Sequence, residues 1–194
     1  NPYEMNSAGL FDYRTDKVTE GIEYGVNFLG NDGDAMECVA GFDHMDFGDY
    51  GTDKVTLPIF ANTNAPVAIR IWEGRPGENG STCLYDGEYC KKPQWMVFQD
   101  ETFTLRKRLK GVTSVYIATK HSFQLKGIVF EKQEKAFAKL TMADRNFLYG
   151  DSFTVNGDTI EKIGNNVTIG YENMNFGTEG TKKLTICSRS PLAK

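Results

Sequence analysis

The 194-residue chain holds 26 acidic against 22 basic residues, a net charge of −4 with a pI near 5.3, and so lacks the basic footprint of a nucleic-acid binder. Its 40% hydrophobic and 12% aromatic content suits one well-buried domain plus an appendage. No apolar run approaches the length of a membrane span, and the first residues lack the charged-then-apolar layout of a secretory signal.

The opening NPYEMNSAG reads as a cut inside a longer protein, and residues 1–20 as a lead-in. From there helical periodicity is nearly absent. Period-2 alternation predicts strands over KVTLPIF (54–60), VAIRIW (67–72), WMVFQDETFTL (95–105), VTSVYIA (112–118) and FQLKGIVFE (123–131). In 67–72 the pattern turns Val67, Ile69 and Ile71 inward and Ala68, Arg70 and Trp72 outward. The glycine-rich EGRPGENGST (73–82) reads as a loop, and the cationic run RKRLK (106–110) as a solvated strand end and turn. In CLYDGEYC the Asp86-Gly87 pair is a hairpin signal that would set Cys83 opposite Cys90. That pair is either a disulfide or two reduced thiols, and the compartment stays open, with export slightly favoured. Cys38 and Cys187 read as core thiols. Only EKQEKAFAKL (131–140) resembles a helix. Many short strands separated by turn signals imply an all-β chain, an antiparallel β-sandwich of jelly-roll type.

One stretch recurs. GFDHMDFGDYGTDKVT (41–56) and GYENMNFGTEGTKKLT (170–185) align at a constant offset of 129 residues, and YGDSF (149–153) echoes YGVNF (24–28). Such self-similarity marks a duplicated unit. The reading divides the chain into a lead-in (1–20), a β-sandwich (21–132), a connector (133–148) and an incomplete second copy (149–194). Met45 and Phe47, with their counterparts Met174 and Phe176, should then all face apolar surroundings. The second copy's strands should dock on the first unit, pair with another molecule, self-association being one such outcome, or be poorly ordered.

The order FDHMDFGDYGTDKVTL, VAIRIWEG, PQWMVFQ, LKGVTSVYI, FQLKGIVFE resembles family 6-type carbohydrate-binding modules, most of all those carried by large bacterial glycoside hydrolases of the β-galactosidase-like kind. The resemblance implies a jelly roll that binds an oligosaccharide or polysaccharide beside the neighbouring domains of a parent hydrolase. It implies a loop-edge site with Trp95 as the stacking platform and Gln124 as the amide that meets sugar hydroxyls. A ring face suits the C–H face of a pyranose, and an amide can both donate and accept. Family members place a second aromatic across the cleft from a segment equivalent to 31–41, which here has none. Tyr50 or Trp72 is left to substitute, Trp72 being equally suited to pack against a neighbouring module. The resemblance also implies a structural calcium, but Lys126 stands where a final-strand acid would ligate it, so no metal is expected. The oxygen-rich Asn31, Asp32, Asp34 loop lacks the spacing of a calcium loop and reads as a turn.

No catalytic residue or cofactor is expected. His44 and His121 are the only histidines and neither has metal-ligand spacing. There is no nucleophile elbow and no phosphate-cradling glycine loop. Asp43 and Asp46 could be paired as glycosidase acids, yet the repeat replaces them with Glu172 and Asn175, which points to folding rather than chemistry. Two functions remain: a non-catalytic module that binds β-linked glycan weakly, galactose-containing chains included, or a structural sandwich that spaces neighbouring domains without a sugar site.

Overall fold

A computed structural model describes residues 1–189, which divide after Gln133 into two compact units. The first unit is an antiparallel β-sandwich. One sheet holds β1 (Asn6–Ser7), β3 (Val18–Glu20), β4 (Val26–Leu29), β6 (Thr52–Phe60), β9 (Gln99–Leu109), β11 (Ser122–Leu125) and β12 (Gly127–Phe130); its order is β1-β12-β6-β11-β4-β3, with β9 on the other edge of β6. The facing sheet runs β2-β5-β10-β7-β8, from β2 (Tyr13–Arg14), β5 (Cys38–Asp46), β10 (Val112–Thr119), β7 (Val67–Glu73) and β8 (Thr82–Tyr89).

The core between the layers is what period-2 alternation dictates. Val55, Leu57 and Ile59 of β6 meet Val67, Ile69 and Ile71 of β7, with Phe28, Leu84, Phe103, Ile117, Phe123 and Leu125 filling around them. In β5 the phase has to change. Cys38 and Ala40 point inward, and Met45 and Phe47 do so as well, although an even strand count would turn them out. The ladder with β10 slips between Phe42 and Met45, and His44 sits at φ 57°. This bulge resets the alternation. Gly48 and Gly51, both at φ near +67°, complete the turn into β6, and a Cβ on Gly51 would fall 1.6 Å from the Leu109 carbonyl oxygen. The motif over 41–56 therefore encodes a bulge followed by a tight turn.

Pro58 lies inside β6, where a missing N–H would break a continuous ladder. The partner strand is broken opposite it: β11 and β12 are separated at Lys126, whose N–H donates to the Pro58 carbonyl (3.1 Å).

Several expectations are corrected. Residues 1–20 are not a lead-in: they supply β1, β2 and β3, because Ala8 and Val18 are buried in the core. Asp86-Gly87 forms no hairpin turn; it lies within β8, which pairs along β7 from Val67↔Tyr89 to Glu73↔Thr82 and is held by buried Leu84 and Tyr89. Cys83 and Cys90 are accordingly free thiols, seven residues apart on one extended strand and its end. Residues 95–98 precede β9 rather than belonging to it. The helical reading of 131–140 reduces to a single 3-10 turn at Lys135–Phe137.

In the second unit β13 (Phe147–Tyr149) pairs with β16 (Thr168–Gly170), and β14 (Thr154–Asn156) turns through Gly157-Asp158 into β15 (Thr159–Glu161), with Gly157 at φ 55° as a two-residue hairpin loop favours. A 3-10 turn over Met142–Asp144 is fixed by reciprocal Thr141 and Asp144 capping bonds. The Lys135 ammonium is buried between the Asn146 Oδ1 (2.8 Å) and the Glu172 carbonyl (3.0 Å). Residues 133–148 are thus ordered structure rather than a bare connector. YGDSF does not repeat the conformation of YGVNF, since 149–153 leave β13 for a turn while 24–28 enter β4. Cys187 is exposed, not a core thiol, and Phe176 is 37% exposed with Met174 half-buried. Residues 190–194 of the expected second copy lie outside the described residues.

Candidate functional site

The segment 91–98, between β8 and β9, is held by backbone-directed contacts rather than by regular structure. The Lys91 ammonium pairs with Glu101 (3.1 Å) and also donates to the Asp100 carbonyl. The Gln99 amide donates to the Lys92 carbonyl (2.9 Å), and Val97 N–H closes a turn on the Gln94 carbonyl (3.1 Å). Trp95 lies at the tip of this loop and is 74% exposed, far more than a core tryptophan would be.

Its ring is not free-swinging. Trp95 packs edge-on against Phe60, with centroids 6.2 Å apart and planes at 87°, and Phe98 meets Phe60 in the same manner at 6.5 Å. Edge-to-face contact satisfies the ring quadrupoles and leaves a face of the indole available. Phe60 ends β6, and there it is the cross-strand partner of Gln124 in β11, which is in turn the partner of Asn27 in β4. Paired residues in antiparallel strands share a face, so Phe60, Gln124 and Asn27 form a row across the outer side of the larger sheet, with Trp95 at its end. The structure brings Trp95 and Gln124 to one locality through Phe60.

Gln124 is half-buried, and its Oε1 is buried without a hydrogen-bond partner. An unmet acceptor in a protein interior is uncommon and unfavourable. Asn27 is already engaged, donating to the Glu20 carbonyl (2.7 Å) and toward the Thr19 hydroxyl (3.5 Å). Lys126 places its ammonium on Glu23 (2.5 Å), and that ammonium lies 6.0 Å from the Phe98 centroid.

Tyr50 and Trp72 do not join this row. Tyr50 sits in the β5–β6 turn, at the opposite end of β6 from Phe60, beneath the Arg108 guanidinium (4.1 Å from the ring centroid). Trp72 belongs to the other layer. In β7 it pairs with Tyr116 and Cys83 on the outer face of the five-stranded sheet, with its Nε1 buried and unpartnered. That face is covered from the 74–81 loop, whose Arg75 guanidinium stacks on Tyr13 at 3.9 Å and lies 5.7 Å from the Tyr116 centroid. Burial pushes the Tyr116 phenol up, and the Asp43 carboxylate that accepts its O–H adds to the effect.

The acidic loop is occupied by its own contacts. Asp34 accepts from the Asn31 N–H (3.0 Å) and pairs with Lys17 (2.5 Å), and Asp32 meets His121 at 3.0 Å. The Lys17 hydrogen bond, then the Asn31 N–H, hold the Asp34 carboxyl below the usual range. Among the described residues no three His, Cys, Asp or Glu side chains cluster as metal ligands.

Sequence reasoning missed Phe60 and Asn27. For Phe60 a signal of direction existed: in KVTLPIF, if Val55, Leu57 and Ile59 face the core, then Phe60 faces the other side of the sheet, where it is buried against Trp95 and Phe98.

No family model and no curated relative matches the sequence. Solved structures do share the fold. A family 6 carbohydrate-binding module from Clostridium stercorarium in complex with cellobiose superposes with a TM-score of 0.55 at 17% identity, covering 68% of this chain and 95% of its own. A family 6 module from Clostridium cellulolyticum in complex with xylose gives 0.54 at 17%, covering 68% and 98%. A family 35 module from Paenibacillus barcinonensis gives 0.53 at 16%, covering 67% and 99%. The chain has the fold of family 6 carbohydrate-binding modules.

Proposed function

We propose that the first unit is a non-catalytic carbohydrate-binding module that takes a β-linked glycan on Trp95, which the buried Phe60 braces, beside Gln124. The observation that carries this is Trp95 itself: a large flat ring left three-quarters exposed on a loop and braced edge-on by Phe60. One pyranose stacks its C–H face on the indole. Gln124 is half-buried beside this platform, and an amide there can donate to and accept from sugar hydroxyls. The fold-sharing modules solved with cellobiose and with xylose support a sugar ligand. The hydrolases that the sequence resembles favour galactose-containing chains first and neighbouring domains of such an enzyme as the covalent context.

A single stacked ring plus a few hydroxyl bonds, each offset by lost hydration, gives a dissociation constant on the order of 0.1–1 mM. Neither Tyr50 nor Trp72 reaches the row, so no second aromatic raises the affinity and the weak end of that range is expected. The test is a glycan array on the full chain, followed by calorimetric titration of cellobiose, xylo-oligosaccharides and β-galacto-oligosaccharides. Binding at millimolar concentration that competes between chain types supports the module. An array blank at every concentration would favour the alternative, a structural sandwich that spaces its neighbours.

A further inference from the structure

The two copies of the recurring motif share geometry as well as spelling, and the correspondence begins earlier than the motif. Tyr3 meets Phe47 edge-on, centroids 6.5 Å apart at 89°; Phe137 meets Phe176 at 6.0 Å and 87°. Tyr13 pairs across from Gly41, and Phe147 pairs across from Gly170. Asp43 N–H donates to Asp12 Oδ2 (2.8 Å), and Glu172 N–H to Asn146 Oδ1 (2.7 Å). The bulge and turn follow suit: His44, Gly48 and Gly51 have φ of 57°, 67° and 68°, and Asn173, Gly177 and Gly180 have 55°, 66° and 65°. Gly48 N–H is capped by Asp46 Oδ1 (2.9 Å), and Gly177 N–H by Asn175 Oδ1 (3.0 Å). Residues 3–14 map onto 137–148 at an offset of 134, and 41–56 map onto 170–185 at 129.

Burial is where the copies part. Val55 and Leu57 are wholly buried, while their counterparts Leu184 and Ile186 are 83% and 75% exposed; Phe47 is 2% exposed and Phe176 37%. The first unit shows what covers such residues. Phe47 rests on Phe130 (4.8 Å) and exchanges backbone bonds with the turn at Gly111: its N–H donates to the Gly111 carbonyl, and Gly111 N–H donates to the Gly48 carbonyl. Val55 lies between Phe103 of β9 and Phe130 of β12. Among the described residues, those from 134 onward supply no strand corresponding to β7 through β12.

We infer that residues 135–189 are the opening of a second sandwich of the same build, and that Phe176, Leu184 and Ile186 form a docking face for polypeptide strands patterned like residues 66–133. The occupant is identified by what the face lacks. It must offer a Gly111-like turn to the 176–177 backbone, and apolar residues at strand positions equivalent to Phe103 and Phe130. A partial sheet cannot bury such apolar positions alone, and strands of this pattern cover their counterparts in the first unit.

Two experiments on the full chain test this through folding alone, so they do not depend on any sugar. In the first, residues 170–185 replace 41–56. If the stretches are equivalent, 170–185 accepts β9 to β12, and the first unit keeps a cooperative unfolding transition with a Tm lowered by no more than about 15 °C. A scrambled stretch of the same composition should abolish the transition. In the second, residues 66–133 are appended after Lys194, and hydrogen exchange of amides 168–187 is compared with the parent chain; slowing of at least tenfold is expected, and Leu184→Asp should cancel it. Either retention in the first or Leu184-dependent protection in the second supports the inference, and failure of both overturns it. Sedimentation of the parent as a dimer that Leu184→Asp splits would also overturn it, because a second copy would then be the occupant.

Discussion

The first unit has two tryptophans, and they occupy opposite layers with opposite relations to water. Trp95 stands on an irregular loop, mostly exposed, touching one buried phenylalanine. Trp72 lies within a regular strand, flanked by Tyr116 and Cys83, with its indole N–H buried and without a partner. The difference is set by position in the pattern. Both point away from the core between the sheets, but Trp72 lies half-buried on a sheet face beside Tyr116, whereas the 91–98 loop holds Trp95 out past the end of β6. An outward-facing side chain is open to a ligand only as far as its neighbours leave it uncovered.

That contrast predicts separable defects. Trp72→Ala should remove packing beside its cross-strand neighbour Tyr116, destabilising the first unit by about 2–3 kcal/mol. A fall in Tm on the order of 10 °C is expected, with glycan affinity at low temperature unchanged. Loss of binding with an intact melting curve would place Trp72 at the sugar and erase the contrast.

A smaller effect is expected at Gln124. Gln124→Ala removes one hydroxyl partner and should weaken binding by roughly three- to tenfold, in line with about 1 kcal/mol for a net hydrogen bond. Its stability should not fall, because the substitution also deletes a buried acceptor that has no partner. Melting at a temperature several degrees lower would show that Gln124 serves the sheet rather than a ligand.

The smallest expected effect is none at all. Lys126 places a positive charge on Glu23 at the position where the family resemblance implies a calcium ligand. Chelation with EDTA should leave Tm unchanged to within about 1 °C. A drop of several degrees would reveal a bound ion that stabilises the native state by mass action.

The strands were legible because their alternation is strong: 54–60, 67–72 and 112–118 lie within β6, β7 and β10. Elements with weak or competing signals were not. Residues 1–20 carry too few apolar positions to announce strands, and only their pairing with β12, β5 and β4 makes them so. Asp86-Gly87 has the chemistry of a hairpin turn, yet the ladder along β7 and the burial of Leu84 and Tyr89 outweigh that local preference. The helical look of 131–140 rested on residue propensity alone, which tertiary context readily overrides. At the proposed site, Trp95 and Gln124 were named through the family resemblance, whereas Phe60 as the link between them depends on the β6–β11 register, which no local pattern reveals. The bulge at His44 was likewise hidden, although it decides that Met45 and Phe47 face inward.

The central claim is that Trp95 is exposed for binding and dispensable for folding. One paired measurement on Trp95→Ala tests it: calorimetric titration with the best glycan from the array, and thermal unfolding of the same sample. The account predicts that binding falls at least tenfold, below detection at millimolar sugar, while Tm stays within a few degrees of the parent, as expected for a mostly exposed side chain. A variant that unfolds, or one that binds as the parent does, would contradict it.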